Sequence, residues 1–429
     1  MSGVFKIKEN KSIGEKYYYT MHKSGLEIYV VPKKFKTAYA GFGTQFGSID
    51  NNFILNGKKE KLPDGIAHFL EHKLFENEDG IDTFEKYAKF GADANAYTTS
   101  DKTVYLFSCA ENFLPSLEIL LGFVTHPYFT KETVQKEQGI IGQEIRMYDD
   151  NPSWRLYFNM LTGLYFNHPA KIDTAGTVET IAEITPELLY CAYRSFYNLR
   201  NMALCVCGDI SPDDVLKVAD KVLKEAEDFS AQRIYPEEPE NVCKSEVSQS
   251  LQVSMPMFSV GIKDADQPCS GRALMKKQAE YGIILELLFG KSGDFYTELY
   301  EKSLINSTFS YGYEAHRNFG FCEISGYSSD PDKVFKRIKE EIETFKKSGF
   351  EKEEFDRVKK IYYAGNIRSF DSTENIANEF LSFAFLDGDM LDFPEVISEV
   401  TISDVEERLK RDFSEDKMVI SKILPLQRG

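Results

Sequence analysis

The sequence predicts an α+β protein of two tandem homologous domains, each a mainly antiparallel sheet with helices packed on one face. Three observations point to that build. The chain has 429 residues, enough for two or three domains. A faint repeat runs at an offset of 216 residues: Ile181, Glu183, Thr185 and Met202 recur as Ile397, Glu399, Thr401 and Met418. In both copies an apolar strand follows, 203–206 in the first and 419–423 in the second. Between them the stretch 235–241 is polar, acidic and interrupted by proline, the composition of a linker. The expected boundaries are 1–234 for the first domain, 235–245 for the linker and 246–429 for the second domain.

The first domain carries the chemistry. His68-Phe69-Leu70-Glu71-His72 reads H-x-x-E-H, the inverted zinc-peptidase helix motif. On a helix, residues four apart lie one above the other, so His68 and His72 point two imidazoles at one place. Glu71 sits beside them, where a carboxylate reaches a metal-activated water. Pro63-Asp64-Gly65 punctuates the chain just before, and Asp64 is the expected capping carboxylate. Two histidines at this spacing also occur as ordinary surface or core residues, so the motif needs a third ligand.

A candidate lies downstream. The segment 130–148 reads as a helix capped by Thr130. Glu137, Ile141, Glu144 and Tyr148 fall on one face of it, with two carboxylates among apolar residues. A plain solvated helix is the competing interpretation. Gly139 and Gly142 weaken this helix, and a closely packed second backbone would account for them. Between motif and helix, Tyr97, Thr99, Thr103, Tyr105 and Phe107 alternate as a strand does. An exposed strand edge there would pair with an extended peptide.

With these residues in place, the chain resembles the insulinase, pitrilysin and mitochondrial processing peptidase family of inverted zincins, most closely its short bacterial YmfH-like branch. That family pairs H-x-x-E-H with a glutamate some seventy residues on, preceded by another seven residues earlier. Glu144 lies 72 residues after His72, and Glu137 lies seven before Glu144. The resemblance implies that His68, His72 and Glu144 bind one Zn2+ per chain. It implies that Glu71 is the general base and that Glu137 orients a histidine and assists catalysis. The stretch Asn95-Ala96-Tyr97-Thr98 resembles the family's substrate-binding edge strand. The resemblance also implies two homologous α+β domains, the second of them non-catalytic.

One departure stands out. Many active relatives carry an arginine and a tyrosine in the second domain that hold substrate near the metal. Tyr300 and Ser307 fall at those places here; Tyr311 and Tyr313 are the candidate substitutes, but the simpler expectation is that the second half does not complete the site. A partner chain is the other expected source of those contacts, because the short bacterial branch pairs a metal-bearing chain with a metal-free sister.

Composition narrows the remaining classes. A net charge of −17 excludes a basic footprint for nucleic acid. No apolar run reaches transmembrane length, and the N-terminal residues lack the apolar core of a secretory leader. Seven scattered cysteines read as reduced thiols of a cytoplasmic protein. The expected activity is zinc-dependent endopeptidase action on peptides or small unfolded proteins, by a homodimer or by a heterodimer with a metal-free sister. The alternative is a weakly active or inactive scaffold subunit of the same fold. A purely structural zinc is disfavoured, because such sites fill all four positions, mostly with cysteine.

Overall fold

The computed structural model describes residues 4–426; residues 1–3, which begin the segment read for a leader, and residues 427–429 lie outside it. The first half contributes β1 (Lys6–Asn10), β2 (Glu15–Met21), β3 (Glu27–Pro32) and β4 (Ala38–Thr44), then a hairpin of β5 (Asn52–Leu55) and β6 (Lys58–Lys61). After it come β7 (Asp93–Thr98), β8 (Thr103–Cys109), β9 (Met202–Gly208) and the short β10 (Gln232–Arg233). Seven of these strands form one sheet in the order β1-β2-β3-β9-β4-β8-β7. The second half contributes β11 (Glu246–Leu251), β12 (Met257–Lys263), β13 (Ser310–Ala315), β14 (Gly320–Tyr327) and β15 (Met418–Pro425), in the order β11-β15-β12-β14-β13.

The faint repeat is a topological one. The series β3-β9-β4-β8-β7 matches β11-β15-β12-β14-β13 in order and direction: the first pair is parallel and the others antiparallel. Thr185 and Thr401, equivalent in the repeat, both cap helices, accepting from the backbone N–H of Leu188 and Asp404. Each helix then delivers the chain to a central strand, β9 or β15, beside the parallel partner.

Each sheet carries its own half's helices on one face, and the opposite face is covered by a helix of the other half. Strand β9 shows this by alternation. Leu204 and Val206 enter the core beneath the first half's helices, while Cys205 and Cys207 enter the core that includes helix Thr373–Phe385 of the second half. Reciprocally, helix Pro152–Leu164 of the first half packs on β11, β12 and β15. Covered on both faces, β4, β9 and β12 are buried along their whole length, which explains their continuous apolar runs. All seven cysteines are free. Among the described residues, no helix is long and apolar enough to cross a membrane.

The acidic stretch between the halves is pinned on both sides. Tyr235 donates to Asp50 at 2.7 Å. Glu238 accepts from the backbone N–H groups of Phe166, Asn167 and His168 at 2.7–2.8 Å, and from the buried Lys263 ammonium at 2.6 Å. Burial pushes the Glu238 carboxyl up, but Lys263 and the three N–H donors outweigh it and hold it below the ordinary carboxylate range.

Two local expectations are corrected. Asp64 does not cap the motif helix, because its carboxylate accepts from Asn51 at 2.8 Å. The cap is Gly65, whose φ of 89° lies in the left-handed region and whose added Cβ would stand 2.4 Å from the Ala175 carbonyl oxygen. Nor does a second backbone press on the glycines of the helix at 130–148. A Cβ on Gly139 would meet nothing within 4 Å, and one on Gly142 would only touch Arg146 and Ile181 side chains at 3.9–4.0 Å. Gly139→Ala is therefore expected to stabilise the protein by about 0.8–1.0 kcal/mol, read as a raised denaturation midpoint; a loss of stability would show an unseen constraint there.

Candidate active site

The site is built where one short helix meets one long one across the end of the first sheet. Helix Ile66–Leu74 buries Ile66, Ala67, Phe69, Leu70 and Leu74 against the first half's core. Its remaining face holds His68 and His72, with ring centroids 4.6 Å apart. Helix Lys131–Asp149 begins at Thr130, whose hydroxyl accepts from Thr133 N–H, and buries Val134, Glu137, Ile141, Gly142 and Ile145. That face brings Glu144 toward both histidines: Oε2 lies 3.8 Å from His68 Nε2 and 3.6 Å from His72 Nε2. The ligand atoms of His68, His72 and Glu144 all lie within 4.8 Å of one another.

These separations are too long for hydrogen bonds. They are close to the ~3.4 Å span of two ligands at about 2.0–2.1 Å from a tetrahedral zinc. The donor set of two imidazoles and one carboxylate suits that ion and leaves a fourth position for water. Protonation fits as well. Burial, reinforced by the neighbouring His72, pushes His68 down to about 4, so its imidazole is neutral with a free lone pair at pH 7. Burial also lowers His72, but the Glu137 bond and the charges of Glu71, Glu137 and Glu144 outweigh it and raise the pKa. The three carboxylates thus favour positive charge beside His72. Glu137 Oε1 is 3.0 Å from His72 Nδ1, the ring nitrogen on the far side from Glu144. His68 Nδ1 is buried without a hydrogen-bond partner among the described residues.

Glu71 is 8% exposed, and burial raises its carboxyl above the ordinary range. Its Oε2 accepts from Thr98 Oγ1 at 2.5 Å. Thr98 belongs to β7, which is the outer strand of its sheet and leaves one edge unpaired. Asn95, Ala96, Tyr97 and Thr98 line the same cleft as His68, Glu71, His72 and Glu144, a cavity of about 340 Å³. The Tyr97 hydroxyl turns away to donate to Asn378 of the second half at 3.0 Å.

Tyr311 and Tyr313 are not brought to this cleft. Alternation along β13 turns both toward their own half's helix Gly271–Phe289. Tyr311 donates to Glu286 and Tyr313 to Asp264, each at 2.6 Å, and Tyr313 stacks on Tyr281. Neither residue lines the cleft. Tyr300, half exposed on helix Asp294–Glu301, and Ser307 are also absent from the cleft lining. Sequence reading missed Trp154, Thr174 and Ala175, which complete the wall. No spacing rule marks them; the signal available was that Trp154 is the chain's one tryptophan, ten residues after Glu144.

Comparison with known proteins bears on this geometry. Residues 57–178, which hold every residue of the histidine cluster, match the model described as insulinase, peptidase family M16. Residues 183–362 match the model described as the peptidase M16 inactive domain. The chain is 41% identical over 424 residues to a Bacillus subtilis protein named uncharacterized zinc protease YmfH, covering 97% of this chain and 98% of that one. An M16-like peptidase from Alicyclobacillus acidocaldarius has the same fold with a TM-score of 0.91 and 32% identity, with 99% of each chain covered. Pitrilysin, at 14% identity and a TM-score of 0.77, shares the fold; all of this chain covers 47% of it.

Proposed function

This chain belongs to the insulinase family of peptidases, M16, and from that premise we propose that it is a zinc endopeptidase acting on peptides or small unfolded proteins. The observation that carries the proposal is the convergence of His68, His72 and Glu144 beside a buried, hydrogen-bonded Glu71. Zinc, when bound, would supply activation of the attacking water and polarisation of the scissile carbonyl. Glu71 accepts the proton of that water and passes it to the leaving amine. Thr98 holds the Glu71 carboxylate in the cleft, and Glu137 holds the His72 ring. The unpaired edge of β7 takes the substrate as an added strand through main-chain hydrogen bonds, with Asn95–Thr98 alongside the scissile bond.

The metal assignment has a direct test. Purified protein is expected to hold about one zinc per chain, and His68→Ala, His72→Ala and Glu144→Ala are each expected to lose most of it. Glu137→Gln is expected to weaken zinc binding or turnover by about 10–100-fold, because it leaves the ligand in place and removes only its support. Full zinc in all three ligand variants would sink the assignment.

A second reading is favoured by one observation. With Tyr311 and Tyr313 turned inward and Tyr300 and Ser307 off the cleft, no described residue of the second half lines it. A scaffold subunit with little turnover would have that arrangement. A peptidase completed by a partner would have it too, and the intact base and ligand set supports the peptidase. We therefore propose a dimer, with a second copy or with a metal-free sister chain, in the cytoplasm. Light scattering is expected to give a dimer mass, and added partner is expected to raise activity without changing metal content. A monomer turning over peptides at ~1–10³ s⁻¹ would show the partner to be unnecessary.

A further inference from the structure

Glu144 is held by more than its own helix. Tyr148, one turn on and on the same face, donates its hydroxyl to Glu144 Oε1 at 2.6 Å. The Tyr148 ring stacks on Trp154, with centroids 4.3 Å apart and planes 13° from parallel. Trp154 is fixed in turn, because its indole N–H donates to Asp173 at 2.5 Å. It also opens the helix Pro152–Leu164 that rests on the second half's sheet. There Ser421 donates to the Leu156 carbonyl at 2.9 Å and Asn159 donates to Gln249 at 2.8 Å. A continuous series of contacts therefore runs from the second sheet, through Trp154 and Tyr148, to Glu144.

The physical consequence concerns which carboxylate oxygen is free. The terminal torsion of a glutamate is broad, so an unsupported carboxylate presents either oxygen, or both. Tyr148 occupies Oε1. The other oxygen, Oε2, is the one that faces both imidazoles. We propose that Tyr148 is a positioning residue that presents Glu144 to the metal through Oε2 alone, and that Trp154 holds Tyr148 in place to do so. The proposal rests on the zinc reading above. It gives the second half a role in a site to which it contributes no ligand: it is the floor on which the Trp154 helix sits.

The test is the zinc dissociation constant of the full chain, measured by competition with a chromogenic chelator, together with Trp154 emission. Partners that orient a metal ligand typically contribute about 10–100-fold in affinity, so Tyr148→Phe is expected to weaken zinc by that factor with an unchanged far-ultraviolet spectrum. Trp154→Leu is expected to weaken it in the same direction. The double variant is expected to be no weaker than the worse single one, because both act through one contact. Zinc loading is expected to change wild-type Trp154 emission, and to change it less in Tyr148→Phe. A Tyr148→Phe protein that holds zinc within ~3-fold of wild type overturns the proposal. His68→Ala separates the two levels. If it loses zinc while Tyr148→Phe does not, the positioning role falls and the metal site stands; if wild type holds no zinc, both fall.

Discussion

Glu71→Gln is expected to lower peptide hydrolysis by about 10²–10⁴-fold or more while leaving zinc content unchanged. The substitution is nearly isosteric, and the amide oxygen still accepts the Thr98 hydroxyl that Glu71 Oε2 accepts at 2.5 Å. Packing in this buried position is kept. What disappears is the only group of the motif that takes a proton without being a metal ligand. The comparison must be made at matched zinc, so that loss of base and loss of metal are not confused. Activity within a few-fold of wild type would assign the base elsewhere. Thr98→Val is the companion variant, since it keeps the carboxylate and removes the hydroxyl that orients it.

The largest effect on stability is expected at Glu238. Glu238 is only partly buried and Lys263 keeps the Pro239 and Asn241 carbonyls, so removing the carboxylate is expected to cost about 1–3 kcal/mol, the penalty for buried donors left short of an acceptor. In Glu238→Ala, Lys263 would stay in a site where its side chain is 2% exposed, and the N–H groups of Phe166, Asn167 and His168 would lose their shared acceptor. The sign of the pH dependence follows from the depressed carboxyl. Glu238 contributes stability fully above the ordinary carboxylate range, and that contribution is lost as pH falls through its lower folded-state value. The gap in denaturation free energy between wild type and Glu238→Ala is thus expected to be largest near neutrality and to close in acid. A gap under about 1 kcal/mol at pH 7 would mean that water replaces the carboxylate.

Both variants act at places that sequence reading reached unevenly. The histidine pair was legible because four-residue spacing on a helix is a local rule, and Thr130 marked the start of the glutamate helix for the same reason. The alternation read over 97–107 spans a hairpin: Tyr97 lies in β7 and Thr103, Tyr105 and Phe107 in β8, with Thr99 in the turn between them, and the edge position of β7 came from family resemblance. Spacing says where a side chain sits along an element, but not what lies opposite it. Thr98 read as part of the substrate edge, and spacing gave no sign that its hydroxyl also donates to Glu71. Asp64 read as a cap because it precedes a helix, yet Asn51 takes its carboxylate and a left-handed Gly65 fits beneath Ala175. Tyr311 and Tyr313 read as cleft residues until β13 turned them onto Asp264 and Glu286. The stretch 235–245 read as a polar spacer, because acidic residues there gave no sign that one of them closes over a buried lysine. The exchange of covering helices between halves left its trace in the doubly buried strands, but which helix lies on which sheet is decided only by tertiary packing.

Peptide cleavage that depends on the metal is the most direct test of the central claim. Purified chain, alone and with a candidate partner, is to be incubated with a mixed peptide library, then with excess chelator, then with zinc restored, and the products identified by mass spectrometry. The expected result is cleavage that stops with chelator, returns with zinc and is missing at every step in Glu71→Gln. Cleavage that survives removal of the metal would contradict the account. So would a chain holding one zinc, with partner present, that cleaves nothing in the library; that outcome would leave the scaffold reading in its place.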